Sequence, residues 1–283
     1  SKDGAAIYVG LRPRDRAAPK PDSTAEKVSD VQVWHGKDVR IMPMQKVQEQ
    51  QDLQRTLLAV WHTGDDRVVP VGTALLETAR VLEGGRFATE SDSKTYAFGA
   101  MFGRRAQDVW VVDLQTGARR KALEKVRYFN GASATGSKLF WFDGASWWSQ
   151  DVASGARTNL TSRLRANFAD PSWDYPTDIA PPSGVAGWTV GDGALLVYDA
   201  HDVWALAPDG SGGTRLTDGA SDRTQYRIAR LGRDEDGIDL KAPVYLTAVG
   251  QRSKKSGFAR LRTGGGVERL LFEDARLTRL IRA

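Results

Sequence analysis

Four segments of the chain repeat one pattern: an apolar strand, a turn closed by glycine, and a second strand. They read Asp108-Val-Trp-Val-Val-Asp-Leu-Gln-Thr-Gly117, Ser146-Trp-Trp-Ser-Gln-Asp-Val-Ala-Ser-Gly155, Asp202-Val-Trp-Ala-Leu-Ala-Pro-Asp-Gly210 and Gly257-Phe-Ala-Arg-Leu-Arg-Thr-Gly264-Gly265. An apolar run precedes each, at residues 96–102, 139–142, 194–198 and 244–249, and reads as a partner strand. Residues 57–62, the turn Thr63-Gly64-Asp65-Asp66 and residues 67–71 form a fifth hairpin of the same kind. The turn glycines Gly64, Gly117, Gly155, Gly210 and Gly265 lie 53, 38, 55 and 55 residues apart. A unit of that length with several short strands must stack on neighbours to bury its apolar faces, and such units build β-propellers. The expected fold is all-β, with about five four-stranded blades. They either close on themselves or belong to a ring of seven or eight. Residues 1–283 are read as a single propeller domain or a propeller fragment.

Composition agrees. Gly numbers 29 and Trp 9, which suits many short hairpins with aromatic strands. A repeat array also grows past the usual single-core limit, so 283 residues need not mean two domains. The net charge of +5 comes from Arg spread along the chain, with a mild concentration from Arg252 to Arg282, and reads as a solvated surface. No stripe or motif for nucleic acid is visible, so no nucleic-acid partner is expected. With no Cys, disulfides, thiolate metal sites and a Cys nucleophile are excluded. No run of 18 apolar residues is present, so no membrane span is expected. No signal peptide is read, and an opening on Ser-Lys rather than Met is expected of a processed or excised piece.

Three segments depart from the repeat. Residues 4–11 and 30–35 read as strands around a Pro- and charge-rich loop at 12–29. Residues 42–56 lack Gly, are rich in helix formers and carry Pro43 where a first helical turn tolerates it. This is the one inserted helix, with Met44, Val47, Gln51 and Leu53 as a thin stripe against a blade. Residues 163–183 hold four Pro and three aromatics, and read as a long structured rim loop. Trp173, Asp174, Tyr175 and Asp178 are its candidate contacts for a substrate or partner.

Chemistry is sparse. Gly-x-Ser-x-Gly is absent, and Ser133 and Ser146 lie in hairpins rather than on a nucleophile elbow. His35, His62 and His201 sit at strand ends beside turns. Even His62 with Asp65 and Asp66 reads as a satisfied turn rather than a metal site. The acidic run 234–236 reads as an exposed turn, without a calcium-loop motif. The glycines at 264–266 form a hairpin turn and do not open a helix, so they cradle no phosphate. No catalytic residue, metal or cofactor is assigned. The repeated aromatics Trp110, Trp148, Trp204 and Phe258 are expected to pack between blades.

The stretch Gly184-Val-Ala-Gly-Trp188 through Gly210, with Arg215-Leu-Thr217-Asp-Gly219, resembles a known family. So does Asp30-Val-Gln-Val-Trp34-His35-Gly-Lys37-Asp38 with its Gln-rich helix and Leu58-Ala-Val-Trp-His62. Together these resemble the propeller domain of bacterial prolyl-oligopeptidase-family serine peptidases, the S9 type. The resemblance implies a propeller over an α/β-hydrolase domain of the same polypeptide, which carries the catalytic residues and is missing from this chain. It implies a gate that favours short peptides, in an extracytoplasmic bacterial setting, periplasmic or secreted. None of the family's catalytic residues has a matching position here. The alternative is a stand-alone, TolB-like propeller that docks proteins on its rim. Its ring would close by pairing residues 7–11 with 267–272 or 277–281. A propeller enzyme of another class, a glycosidase or lyase, is a third reading.

Overall fold

The computed structural model describes residues 4–12, 31, 34–73, 78–175, 179–232, 237–262, 266–277 and 280–281. The proposed loop after Arg12, Asp178, the acidic run 234–236 and Gly264 with Gly265 lie outside these residues. The chain divides into two compact units, one of residues 1–81 and 85–125, the other of residues 82–84 and 126–283.

The first unit opens with a three-stranded antiparallel sheet of β1 (Ala6–Leu11), β2 (Leu57–His62) and β3 (Arg67–Pro70), in that order. Residues 7–11 were one half of the expected ring closure. They pair instead with β2, Ile7 opposite Trp61 and Leu11 opposite Leu57. Between β1 and β2 stands α1 (Met42–Gln54), with Pro43 in its first turn as expected. It ends two residues early because Arg55 is already extended. Its stripe does not pack: none of its residues is buried, and Val47 is 84% exposed. The strand expected at 30–35 is not formed at Trp34 and His35. The Asp38 carboxylate accepts the His35 amide at 3.0 Å, and the chain turns there.

The second sheet is a four-stranded meander of β4 (Thr78–Val81), β5 (Phe87–Asp92), β6 (Gln107–Asp113) and β7 (Arg119–Val126). Residues 96–102 were expected to be the strand before β6. That partner is β5, and residues 94–100 are helical: a 3-10 turn (Lys94–Tyr96) runs into α2 (Ala97–Ala100). The Asp92 carboxylate accepts the Lys94 amide at 2.9 Å and starts the turn. The Tyr96 hydroxyl then ties it to Asp108 at 2.7 Å.

The second unit holds three more four-stranded meanders. They are β8 (Tyr128–Ala132), β9 (Lys138–Phe142), β10 (Trp147–Asp151) and β11 (Arg157–Asn159); then β12 (Val185–Trp188), β13 (Leu195–Tyr198), β14 (Val203–Leu206) and β15 (Gly213–Arg215); then β16 (Thr224–Ile228), β17 (Val244–Gly250), β18 (Ser256–Leu261) and β19 (Val267–Glu273). Four consecutive antiparallel strands, each hydrogen-bonded to the next, are a propeller blade. The chain is a β-propeller of four such blades and one of three strands among the described residues.

The repeated turns follow from their side chains. Asp113 accepts the Gln115 and Thr116 amides, Asp151 accepts the Ser154 amide and hydroxyl, and each turn closes on a glycine at positive φ, Gly117 or Gly155. The core of the second unit lies between successive sheets. Phe140, Phe142, Trp147, Phe168, Leu195 and Val197 form one cluster, and Leu196, Tyr198, Leu246 and Ala248 belong to another. Of the four repeated aromatics Phe258 is buried, whereas Trp110 and Trp148 are only half-buried; in the second repeat it is Trp147, next to Trp148, that is buried, as is Trp188. Strand side chains alternate faces, so Trp147 goes inward and Trp148 stacks on Trp141, 6.2 Å between ring centres. Trp204 lies edge-on to buried Phe168 and does pack against the cluster.

Candidate functional site

In a meander the connections alternate between its two ends. In the second unit the connections β8–β9, β12–β13 and β16–β17 therefore share one end of their blades. They line a pocket of about 1150 Å³, joined by Glu83, Gly84, Leu280 and Ile281. Val190, Ile228, Leu231, Ile238 and Val244 give it apolar walls. Thr135, Arg230, Asp239 and Tyr245 add polar groups. Pockets that are mostly apolar with a few polar groups are the usual form of a small-molecule or peptide site.

The wall is held by Asp192. Its carboxylate is buried and accepts the Ser133 hydroxyl at 2.6 Å, the Ser137 hydroxyl at 2.9 Å, the Thr135 amide at 3.1 Å and the Thr135 hydroxyl. The β8–β9 turn is thereby fixed to the β12–β13 turn, 55 to 59 residues away in sequence. On the other side Val190 donates its amide to the Ile238 carbonyl, and Ile238 donates to the Trp188 carbonyl at 2.9 Å. This parallel bridge holds the start of residues 237–243 against the end of β12. Gly237 permits the approach, since a Cβ there would stand 2.8 Å from the Val190 nitrogen. Asp239 caps its own turn by accepting the Lys241 amide at 2.8 Å.

The rim loop lies at the opposite end of these blades, between β11 and β12. Its base is well fastened: Ala169 bridges Pro182, Asp170 accepts the Ser172 amide and hydroxyl, and the Tyr128 hydroxyl donates to the Ile179 carbonyl. The Trp173 and Tyr175 rings pack at a tilt of 32° with centres 4.9 Å apart. Tyr175 is 70% exposed, and Asp174 beside it is exposed as well. The Trp173 indole N–H is buried without a hydrogen-bond partner among the described residues. Three of the four rim candidates thus sit together, away from the pocket.

Arg227 lies on β16, next to Ile228 of the pocket wall, and its guanidinium reaches the Ser183 carbonyl at the end of the rim loop. Its guanidinium sits 4.4 Å over the Tyr198 ring and donates to the Tyr226 and Asp199 carbonyls at 2.8 and 3.0 Å. Burial lowers its pKa, and burial likewise pushes the Tyr198 phenol up. Nothing in its sequence neighbourhood distinguishes this inner cation from the many surface arginines. The pocket was also missed. Its clearest sign was the long β16–β17 connection, residues 229–243, which matters only once folding gathers it with two other turns.

The other sequence candidates fall into structural roles. The Ser133 hydroxyl donates to Asp192. His62 Nε2 lies 2.7 Å from the Leu114 carbonyl, and His201 Nε2 lies 3.1 Å from the Gln251 side chain. Among the described residues no cluster of three or more His, Asp or Glu side chains is placed to hold a metal ion.

No protein-family model matches the chain, and no curated protein matches it in sequence. Solved structures do. One described as a TolB from Agrobacterium tumefaciens is 16% identical, with a TM-score of 0.41, over 76% of this chain and 74% of that one. One of two prolyl endopeptidases is 9% identical, with a TM-score of 0.45, over 78% of this chain and 33% of that one. A puromycin hydrolase S511A mutant is 16% identical, with a TM-score of 0.43, over 78% of this chain and 34% of that one. The chain spans about a third of the length of these two hydrolases.

Proposed function

We propose that the chain is a propeller that gates substrate access to a serine-peptidase domain of the S9 type in the same polypeptide. In this reading the pocket at the β8–β9, β12–β13 and β16–β17 end holds part of a short peptide on its way to that domain. The observation that carries the reading is the pocket itself: about 1150 Å³, apolar-walled, with Arg230 and Asp239 on its lining and its turns fastened through buried Asp192. Such a site suits a peptide's apolar side chains, with charged groups for its termini. Sheets of four strands with buried cores on both sides suit a rigid frame that excludes bulky substrates. The sequence resemblance to the S9 propeller points the same way.

The test is fluorophosphonate labelling of this chain and of the product of its complete gene, paired with peptide binding by calorimetry. Label on the complete product alone, with peptide binding that Val190→Trp abolishes, is the expected outcome. Label on neither overturns the gate and leaves a stand-alone, TolB-like binding propeller.

A further inference from the structure

The connection between β5 and β6 departs from its counterparts. The matching turns in two other blades, residues 143–146 and 199–202, have four residues, whereas this one runs from 93 to 106. The insertion does not bury its apolar side chains. Phe98 is 47% exposed, Met101 45% and Phe102 61%. Residues 101–105 are exposed without interruption, so they form a projecting tip rather than a groove.

The tip is nonetheless built. Phe98 and Phe102 meet edge to face at 5.4 Å. The Phe102 and Arg104 amides both return to the Gly99 carbonyl at 3.0 Å, and the Tyr96 hydroxyl anchors the stem on Asp108. Exposed cations flank it at Lys94, Arg104 and Arg105, and residues 93–106 contain no carboxylate. Clustered exposed apolar side chains on a monomer mark a contact surface. Here the contact must accept a protruding apolar tip and be negatively charged around it. A protein partner would need a matching hollow ringed by acids. A lipid surface needs no shape match: the acyl boundary takes Phe and Met, and anionic headgroups take the arginines at the level above.

We propose that the β5–β6 connection is a membrane-surface element that seats Phe98, Met101 and Phe102 in the interface of an anionic bilayer. This would bring the propeller to the membrane without spanning it; among the described residues no helix is long and apolar enough to cross. The inference is independent of the peptidase reading, since it concerns neither the pocket nor labelling.

The experiment is co-sedimentation of the full chain with vesicles of phosphatidylcholine, alone or with one part in four of phosphatidylserine. The expected result is partitioning about tenfold stronger onto the anionic vesicles and weakened by salt. The variant Phe98→Ser/Met101→Ser/Phe102→Ser should lose about tenfold of that partitioning with its thermal melt unchanged. Arg104→Gln/Arg105→Gln should lose the preference for phosphatidylserine, while Lys254→Gln/Lys255→Gln, remote in sequence, should not. Binding that survives the serine variant would assign it to overall charge and overturn the proposal. Binding to neither vesicle would overturn it too, and would leave an acidic protein as the partner.

Discussion

Trp148 and Trp204 are each tethered to an aspartate five residues upstream. Asp143 accepts the Trp148 indole N–H at 2.7 Å and the Ala145 and Ser146 amides at 2.9 and 2.7 Å. Asp199 does the same for Trp204 at 2.8 Å and for the amides of His201 and Asp202. One carboxylate thus holds both the turn and the indole of the tryptophan five residues on. Asp199→Ala strands three donors, with Trp204 packed on Phe168, and should cost about 2–3 kcal/mol in chemical denaturation. Asp143→Ala should cost about 1 kcal/mol less, because water reaches its more exposed donors. Losses near zero in both variants would count against the tether, and equal losses against the role of water. Asp108 makes a different kind of contribution. Burial alone would raise its pKa, but hydrogen bonds from Lys121, the Lys125 amide and Tyr96 hold the carboxyl below its usual value. A folded-state pKa below the unfolded one means that the unfolded state binds more protons. The stabilisation is therefore complete above the unfolded value, about 3.9, and fades as pH falls through the lower folded value. Acid titration of the melting temperature should show Asp108→Asn to be less stable than the parent at neutral pH, with the gap closing in strong acid.

Among the elements, α1 has the clearest consequence. Met44, Val47 and Leu53 have the spacing of a packing stripe, yet all three are exposed. Truncating each to Ala should therefore change stability by less than about 0.5 kcal/mol, as for ordinary surface positions. A loss above about 2 kcal/mol by denaturant titration would instead show a buried stripe. Both this misreading and the one at residues 96–102 arise from apolar residues that the sequence pattern assigns to a core but the fold leaves outside. The blade strands were legible because alternation over a pleat is local, and so were the turns, because Asp113 and Asp151 bond within their own few residues. The site was not. Nothing local places Asp192 against Ser133, or Ile238 against Val190. Pro and aromatic density does mark residues 163–183 as a structured loop, in which the Trp173 and Tyr175 rings pack together. The pocket residues are ordinary Val, Ile and Thr that acquire meaning only when three turns converge.

Across the molecule, β13 shows how one blade couples to its neighbours. All four of its residues are buried, and they alternate between two cores. Leu195 and Val197 face the cluster with Phe140, Phe142 and Trp147, while Leu196 and Tyr198 face the cluster with Leu246 and Ala248. A repeat array of this kind holds together through nearest-neighbour interfaces, so damage should travel in the direction of the side chain removed. Leu195→Ala and Leu196→Ala each delete a fully buried side chain, and each should cost about 2–5 kcal/mol. Global stability alone does not separate them, but amide hydrogen exchange does. Leu195→Ala should speed exchange first in β9 and β10, whose Phe140, Phe142 and Trp147 lose a packing partner. Leu196→Ala should spare those strands and speed exchange in β17 and β18. The pocket gives a second readout, because Val244 and Ile238 belong both to its wall and to the core behind Leu196. Peptide binding should therefore weaken in Leu196→Ala well before it weakens in Leu195→Ala. Identical exchange maps for the two variants would mean that the blades melt as one body, and that the alternation along β13 carries no directional coupling.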